Sequence, residues 1–293
     1  MVCTPPRSGA VGFFDAALFV GALFVGAGSI LSISSAIADE PDAPNNQTTH
    51  SVAMQGCETM SVGGAEGWEP ITYIDENGRQ LGLAIDILDE YAARHGIHLN
   101  LMLDIPWSRS IQMLGKGELD VIAGAYFTKE RNRIYTYSAP FSFDDVMVFQ
   151  HRQNRFPMNN IYDLIGYRGA RPQGGSYGDY IDHYAQTSLD MIYSPTGNRI
   201  FDVLINGRAD YVILGRYDGL TNLYKNHLED VIEPAEPPLA RNEVLLMFSR
   251  QSPCARHIAE INLLINSLTK DGTLERWTTG HLRGVMNETP SDS

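Results

Sequence analysis

Residues 108–123, SRSIQMLGKGELDVIA, and residues 200–214, IFDVLINGRADYVIL, carry the same pattern twice. In the first, Ser108 to Leu114 spaces its apolar residues like a helix, Gly115-Lys116-Gly117 stops it, and Leu119-Asp120-Val121-Ile122-Ala123 forms a short apolar strand. In the second, Ile200 to Ile205 is helical, Gly207 stops it, and Ala209 to Leu214 is the strand. A helix, a turn of glycine and a cation, an x-Asp step and an apolar strand occur once in each half. The repeat predicts an α/β chain with two lobes of related design.

The flanking segments extend the pattern. Thr59 to Gly63 predicts a strand. Tyr73-Ile74 and Leu81-Gly82-Leu83 flank Asp75-Glu76-Asn77-Gly78, whose Asn-Gly pair marks a tight turn. Ala84 to His95 reads as a helix ended by Gly96, and His98 to Leu103 alternates like a strand. Arg168 to Arg171 predicts a strand, followed by the glycine-rich turn Gln173-Gly174-Gly175-Ser176-Tyr177-Gly178 and a helix from Asp179 to Tyr184. Ala255 to Leu268 is an amphipathic helix ended by Asp271-Gly272, and a last helix lies near Leu274 to Trp277.

Composition narrows the function. With 293 residues, 43% of them hydrophobic, the chain can bury one large or two modest cores. A net charge of −13 argues against nucleic acid, which requires clustered Lys and Arg. The run from Ala16 to Ile33 is uncharged and apolar, and Ala36-Ile37-Ala38 supplies a small-x-small cleavage pattern. Residues 1–38 therefore read as a signal peptide, giving a soluble periplasmic protein after cleavage. An uncleaved membrane anchor is the alternative, since such a run can just span a bilayer. Residues 39–56 are polar and rich in Pro and Asn, as in a flexible leader. Cys57 and Cys254 remain after the signal, and two cysteines in an exported chain suggest one disulfide; two unrelated buried thiols are the alternative. His95 and His98 flank Gly96 and have no Cys or carboxylate partner at metal-binding spacing, so no metal or cofactor is expected.

In this order the elements resemble the periplasmic solute-binding family 3, the substrate-binding proteins of polar amino-acid ABC transporters. Four pieces carry the resemblance over residues 57 to 280: Ile74 to Gly78 with Leu83 to Leu88; Pro106-Trp107 with Leu114 to Asp120; Thr128-Lys129-Glu130-Arg131 with Tyr137 to Phe141; and Leu268 to Trp277. The resemblance implies a two-lobed periplasmic-binding-protein fold (type II), with two doubly crossed lobes joined by a hinge. Lobe 1 takes residues 57–143 and 241–285, lobe 2 takes residues 144–240, and residues 286–293 form a disordered tail. The hinge passes near Phe143-Asp144-Asp145 and near Pro238 to Arg241. Ligand binds between the lobes and stabilises the closed form.

The resemblance also assigns roles. Arg131 stands where the family places an arginine that forks onto the ligand's carboxylate, a geometry that lysine does not reproduce; a surface arginine, as at Arg133, is the alternative. Ser176 and Gly175 belong to the turn that meets the same carboxylate from lobe 2. Trp68 and Trp107 correspond to aromatic cleft walls, with Trp107 alternatively part of the lobe 1 core. Gly124 offers a carbonyl and Tyr126 a hydroxyl. The chain departs from the family at Gly215, where amino-acid binders place an acid facing the ligand ammonium. Asp218 is the acid nearest that position.

The expected function is thus capture of a small polar carboxylate-bearing ligand, an amino acid or related organic acid, for an inner-membrane ABC permease. The expected state is a monomer, because the lobes must move. A ligand sensor for a membrane receptor is a close variant. The alternative from another class is a cleft enzyme on the same scaffold, such as a cyclohexadienyl dehydratase-like protein. That chemistry requires a carboxyl general acid with a raised pKa, and Glu66 and Asp218 are its candidates. No nucleophile elbow, phosphate loop or metal motif is present, so an enzyme is not the expectation.

Overall fold

The computed structural model describes residues 56–194 and 199–287. The predicted signal at 1–38 lies outside the described residues, as do the leader at 39–56 up to its last residue and most of the predicted tail.

In chain order the first lobe opens with β1 (Thr59–Gly63), β2 (Gly67–Trp68), β3 (Thr72–Ile74), β4 (Gln80–Leu81), α1 (Leu83–His95) and β5 (His98–Leu101). It continues with α2 (Trp107–Lys116), β6 (Val121–Tyr126), α3 (Lys129–Ile134) and β7 (Tyr135–Tyr137). The long strand β8 (Ser142–His151) leads into β9 (Arg168–Pro172), α4 (Asp179–Thr187), β10 (Asp190–Ser194), α5 (Asp202–Ile205), β11 (Tyr211–Gly215) and α6 (Arg216–Lys225). The longer strand β12 (Ile232–Ser249) returns, followed by α7 (Ile258–Lys270) and α8 (Thr273–Asn287).

One sheet unites both halves, in the order β10-β9-β11-β8-β12-β6-β1-β5, with β7 also paired to β12; β2, β3 and β4 form a separate small sheet. Strands β5, β1 and β6 are parallel, as are β10, β9 and β11. Between these two triplets, β8 and β12 run antiparallel to each other and to β11 and β6. This mirrored arrangement is the two-lobed α/β architecture that the repeat predicted.

The repeat's parts have visible physical roles. Gly117 and Gly207, the two turn glycines, both take left-handed φ values, 73° and 63°, which residues with a Cβ rarely adopt. The two repeat aspartates clasp neighbouring strands. Asp120 Oδ2 accepts the Ser61 amide of β1 at 2.7 Å, and Asp210 Oδ2 accepts the Arg168 amide of β9 at 2.8 Å. Each extends its parallel pairing by a side-chain bond at the strand's start. Strands β6 and β11 are buried along their whole length, as expected for strands covered on both faces. Helices α1 and α7 pack Ile85, Leu88, Ile261 and Ile265 on one side of the first lobe; α2 covers the other with Leu114. In the second lobe, Ile181 of α4 packs on one side, and Leu204 of α5 and Leu223 of α6 on the other.

Several expectations need adjusting. The helix expected from Ala255 begins as a 3-10 turn, Pro253–His257, capped by Ser252, and becomes α-helical only at Ile258. The helix expected over Ile200 to Ile205 is regular only over four residues. The last helix runs through Asn287, so the first two residues of the predicted tail are helical. Helix α6 has no counterpart in the sequence reading. Its Gly219 weakens the helical pattern, yet a Cβ there would lie 2.0 Å from the Phe149 ring, so close packing on β8 requires glycine.

Cys57 and Cys254 are joined by a disulfide with Cα atoms 5.1 Å apart, pinning the start of β1 to the turn before α7. The bridge closes a long loop, for which the chain-entropy argument allows up to about 5 kcal/mol. Replacing both cysteines with serine is therefore expected to lower unfolding free energy by roughly 2–5 kcal/mol in urea titration. An unchanged midpoint would show that the bridge constrains nothing in the unfolded chain.

Candidate functional site

A cleft of about 450 Å³ opens between the lobes, within the usual range for a small-molecule site. Seven of the sequence-predicted residues line it: Trp68, Trp107, Tyr126, Arg131, Gly175, Ser176 and Asp218. Gly124 is not among them. Its absent Cβ would lie 2.6 Å from Ile71 and 3.1 Å from Trp68, so it lies behind the wall and allows Trp68 to pack.

Arg131 rises from α3, whose N-cap Thr128 accepts the Arg131 amide at 3.1 Å. Its guanidinium lies 5.9 Å from the Trp107 ring centre and donates to the Gly174 carbonyl at 3.1 Å. Burial lowers its pKa, while Tyr137 and Asp182 oppose that shift, and a guanidinium stays charged throughout. Trp107 Nε1 donates to the same carbonyl at 3.1 Å. The Lys129 amide donates to Asp179 Oδ1 at 3.1 Å, and Lys225 forms an ion pair with Glu69. These bonds span the cleft from one side to the other.

The glycine-rich turn is organised from beneath. Asp182 Oδ1 accepts Arg171 Nη2 at 2.8 Å and the Tyr177 amide at 3.1 Å, and Asp182 Oδ2 accepts the Ser176 hydroxyl. Arg171 is 3% exposed, donates to the Gly175 carbonyl at 2.7 Å and lies 4.9 Å from the Tyr177 ring centre. Because the Ser176 proton goes to Asp182, its oxygen meets the cleft with lone pairs.

Gly215, where the family's acid is missing, has no room for a side chain. A Cβ there would lie 2.4 Å from Asp144 Oδ2 and 2.5 Å from Tyr126 Oη. Asp144 reaches this space from β8. Its Oδ2 accepts Tyr126 Oη at 2.7 Å and Trp68 Nε1 at 3.0 Å, and its Oδ1 accepts the Tyr217 amide at 3.3 Å. Trp68 and Tyr126 meet edge to face with ring centres 5.3 Å apart. Burial raises the Asp144 carboxyl to about 6, against the three hydrogen bonds that lower it. Asp218, in the first turn of α6, is raised to about 8, first by burial and then by the charges of Asp144 and Glu69. Arg131 sits with Trp107 and Gly174, whereas Asp218 sits with Tyr126, Tyr177 and Asp144. Positive and negative groups therefore occupy different parts of one cleft.

Sequence reading placed Asp144 only in the hinge and assigned no role to Arg171 or Asp182. No local signal marks Asp144, because Trp68 lies 76 residues away and Tyr126 18. The space around Gly215 is directly testable. Gly215→Ala is expected to cost about 1–3 kcal/mol by overpacking, read as a lower thermal midpoint. Wild-type stability would mean that Asp144 and Tyr126 are not held against residue 215.

Comparison with known proteins agrees with this architecture. Residues 60–282 match the model of the bacterial extracellular solute-binding proteins, family 3. A Haemophilus influenzae protein described as a "Probable amino-acid ABC transporter-binding protein" is 21% identical over 263 residues, covering 88% of this chain and 94% of that protein. A mutant of ArgBP from T. maritima superposes with a TM-score of 0.67 at 21% identity, covering 77% of this chain and 96% of that one. A Streptococcus pneumoniae amino acid ABC transporter substrate-binding protein, bound to L-arginine, also gives 0.67, at 14% identity over 78% of this chain and 96% of that one. The chain belongs to the family 3 bacterial extracellular solute-binding proteins.

Proposed function

We propose that this protein is exported to the periplasm, captures a small amino acid between its lobes and presents it to an inner-membrane ABC permease. The observation that carries this reading is the placement of Arg131 and Asp218 in separate parts of one cleft of about 450 Å³. A zwitterionic ligand complements that arrangement. Its carboxylate meets Arg131, with the backbone of the glycine-rich turn beside it. Its ammonium or guanidinium meets Asp218, and the Ser176 lone pairs accept rather than donate. Trp68, Trp107 and Tyr126 form apolar walls that exclude water and strengthen both charge interactions.

The remaining parts of this reading follow the chain. The signal at residues 1–38 supports export, and free movement of the lobes supports a monomer. Lobe 1 at residues 57–143 and 241–285 and lobe 2 at residues 144–240 meet within β8 and β12, so the hinge lies in these strands. The L-arginine bound to the Streptococcus pneumoniae relative makes arginine the first probe, beside glutamine and amine-free carboxylates.

One observation favours a second reading. Asp218, raised to about 8, carries its proton at neutral pH and meets the requirement for a general acid of a cleft enzyme. Chemical analysis after incubation separates the two: a binder returns its ligand unchanged, whereas a dehydratase consumes it.

Two outcomes test the binding reading. Arg131→Ala is expected to weaken L-arginine binding by roughly 2–5 kcal/mol, read by calorimetry; a change within about twofold would remove the carboxylate clamp. The pH dependence follows from Asp218. A cation beside it favours the ionised carboxylate, so binding below about pH 8 releases a proton. Affinity for a cationic ligand should therefore rise with pH, by up to about tenfold per unit, and level off above about 8. A flat or falling profile between pH 6 and 8 would exclude Asp218 as the cation partner.

A further inference from the structure

Asp144 is 2% exposed, and no ion pair reaches it among the described residues. The cations around it are engaged elsewhere: Arg216 and Arg241 with Asp145, and Lys225 with Glu69. The groups facing Asp144 are Trp68 of β2, Tyr126 of β6, Tyr177 of the glycine-rich turn, the Tyr217 amide and Asp218 of α6, and Asp145 of its own strand. Its three hydrogen bonds therefore tie two cleft walls of the first lobe to the helix that carries Asp218 in the second. A buried carboxylate with no cation is costly unless a proton or a ligand cation offsets it. The charge of Asp144 raises Asp218, so an ionised Asp144 favours a proton on Asp218.

We propose that Asp144 is a positioning residue that links ligand capture to loss of a proton. From strand β8 it holds Trp68 and Tyr126 against the Asp218 helix, and the cationic group of the ligand displaces the proton that the charge of Asp144 helps to hold on Asp218. This rests on the reading of the ligand as a cation-bearing amino acid. In this chain the negative charge near residue 215 comes from the hinge strand, so ligand charge and lobe closure act on the same carboxylate. The device gives a preference for cationic over neutral ligands that strengthens as pH rises.

The first test requires no ligand. The full chain has three tryptophans, so the Trp68 indole N–H signal is assigned by its loss in Trp68→Phe. It is expected to shift with pH, with a step near 6. Asp144→Asn should abolish that step. Tyr126→Phe removes one bond to the charged carboxylate and should move the step to higher pH, an effect that loss of packing does not produce, and it serves if Asp144→Asn does not fold. A Trp68 signal flat from pH 5 to 9, or unaltered by both substitutions, overturns the role of Asp144. The second test is L-arginine calorimetry at pH 7 in buffers of different ionisation enthalpy. Release of about one proton, reduced in Asp144→Asn but not in Tyr126→Phe, supports the coupling; binding without proton release overturns it. Absence of L-arginine binding, together with a Trp68 step that follows Asp144, would count against the amino-acid reading alone.

Discussion

Everything in this molecule hangs on the antiparallel pairing of β8 with β12. These strands join the two parallel triplets into one sheet, and each contributes to both lobes. Their register is continuous from Val244 opposite Ser142 to Ala240 opposite Val146 and resumes at Ala235 opposite Val148. The intervening bulge holds Pro237 and Pro238, which have no amide to donate to a ladder. Pairing thus loosens between Ala235 and Ala240. The register shift interrupts the ladder between the two triplets.

Strand β8 also contributes to the cleft's electrostatics. Asp144 and Asp145 are adjacent but point to different partners. Asp145 takes Arg216 and Arg241 near the surface, whereas Asp144 turns inward to Trp68, Tyr126 and the Tyr217 amide. The outer residue uses the local cations, so the inner one remains uncompensated beside Asp218. On the Arg131 side the balance is reversed. Arg171, a buried cation near the cleft, is engaged by Asp182 beneath the glycine-rich turn, whereas Arg131 lines the cleft itself. Selective pairing within the protein decides which charges remain for a ligand.

Much of the scaffold was legible in advance because its signals are local. The glycine stops at 117 and 207, the aspartate clasps at 120 and 210 and the apolar strands after them follow from short-range geometry. Arg131, the glycine-rich turn and the tryptophans were found through family resemblance, and the structure brings them to one cleft. Helix α6 has no counterpart in the sequence pattern, and the contact that requires Gly219, the Phe149 ring 70 positions earlier, is not a local signal. The space that Gly124 leaves for Trp68 is likewise invisible without the partner.

Local pattern alone carries the α/β class and the two related lobes, and it offers the pairing of Cys57 with Cys254 as one of two options. Only the tertiary structure decided where the negative charge stands. Gly215 appeared to be a missing acid, yet its lack of a side chain makes room for Asp144, which arrives from another strand. The physical reason is that periodicity and turn chemistry act over a few residues. Desolvation, exclusion of volume and the sharing of a carboxylate among distant donors depend on segments that only the folded chain brings together.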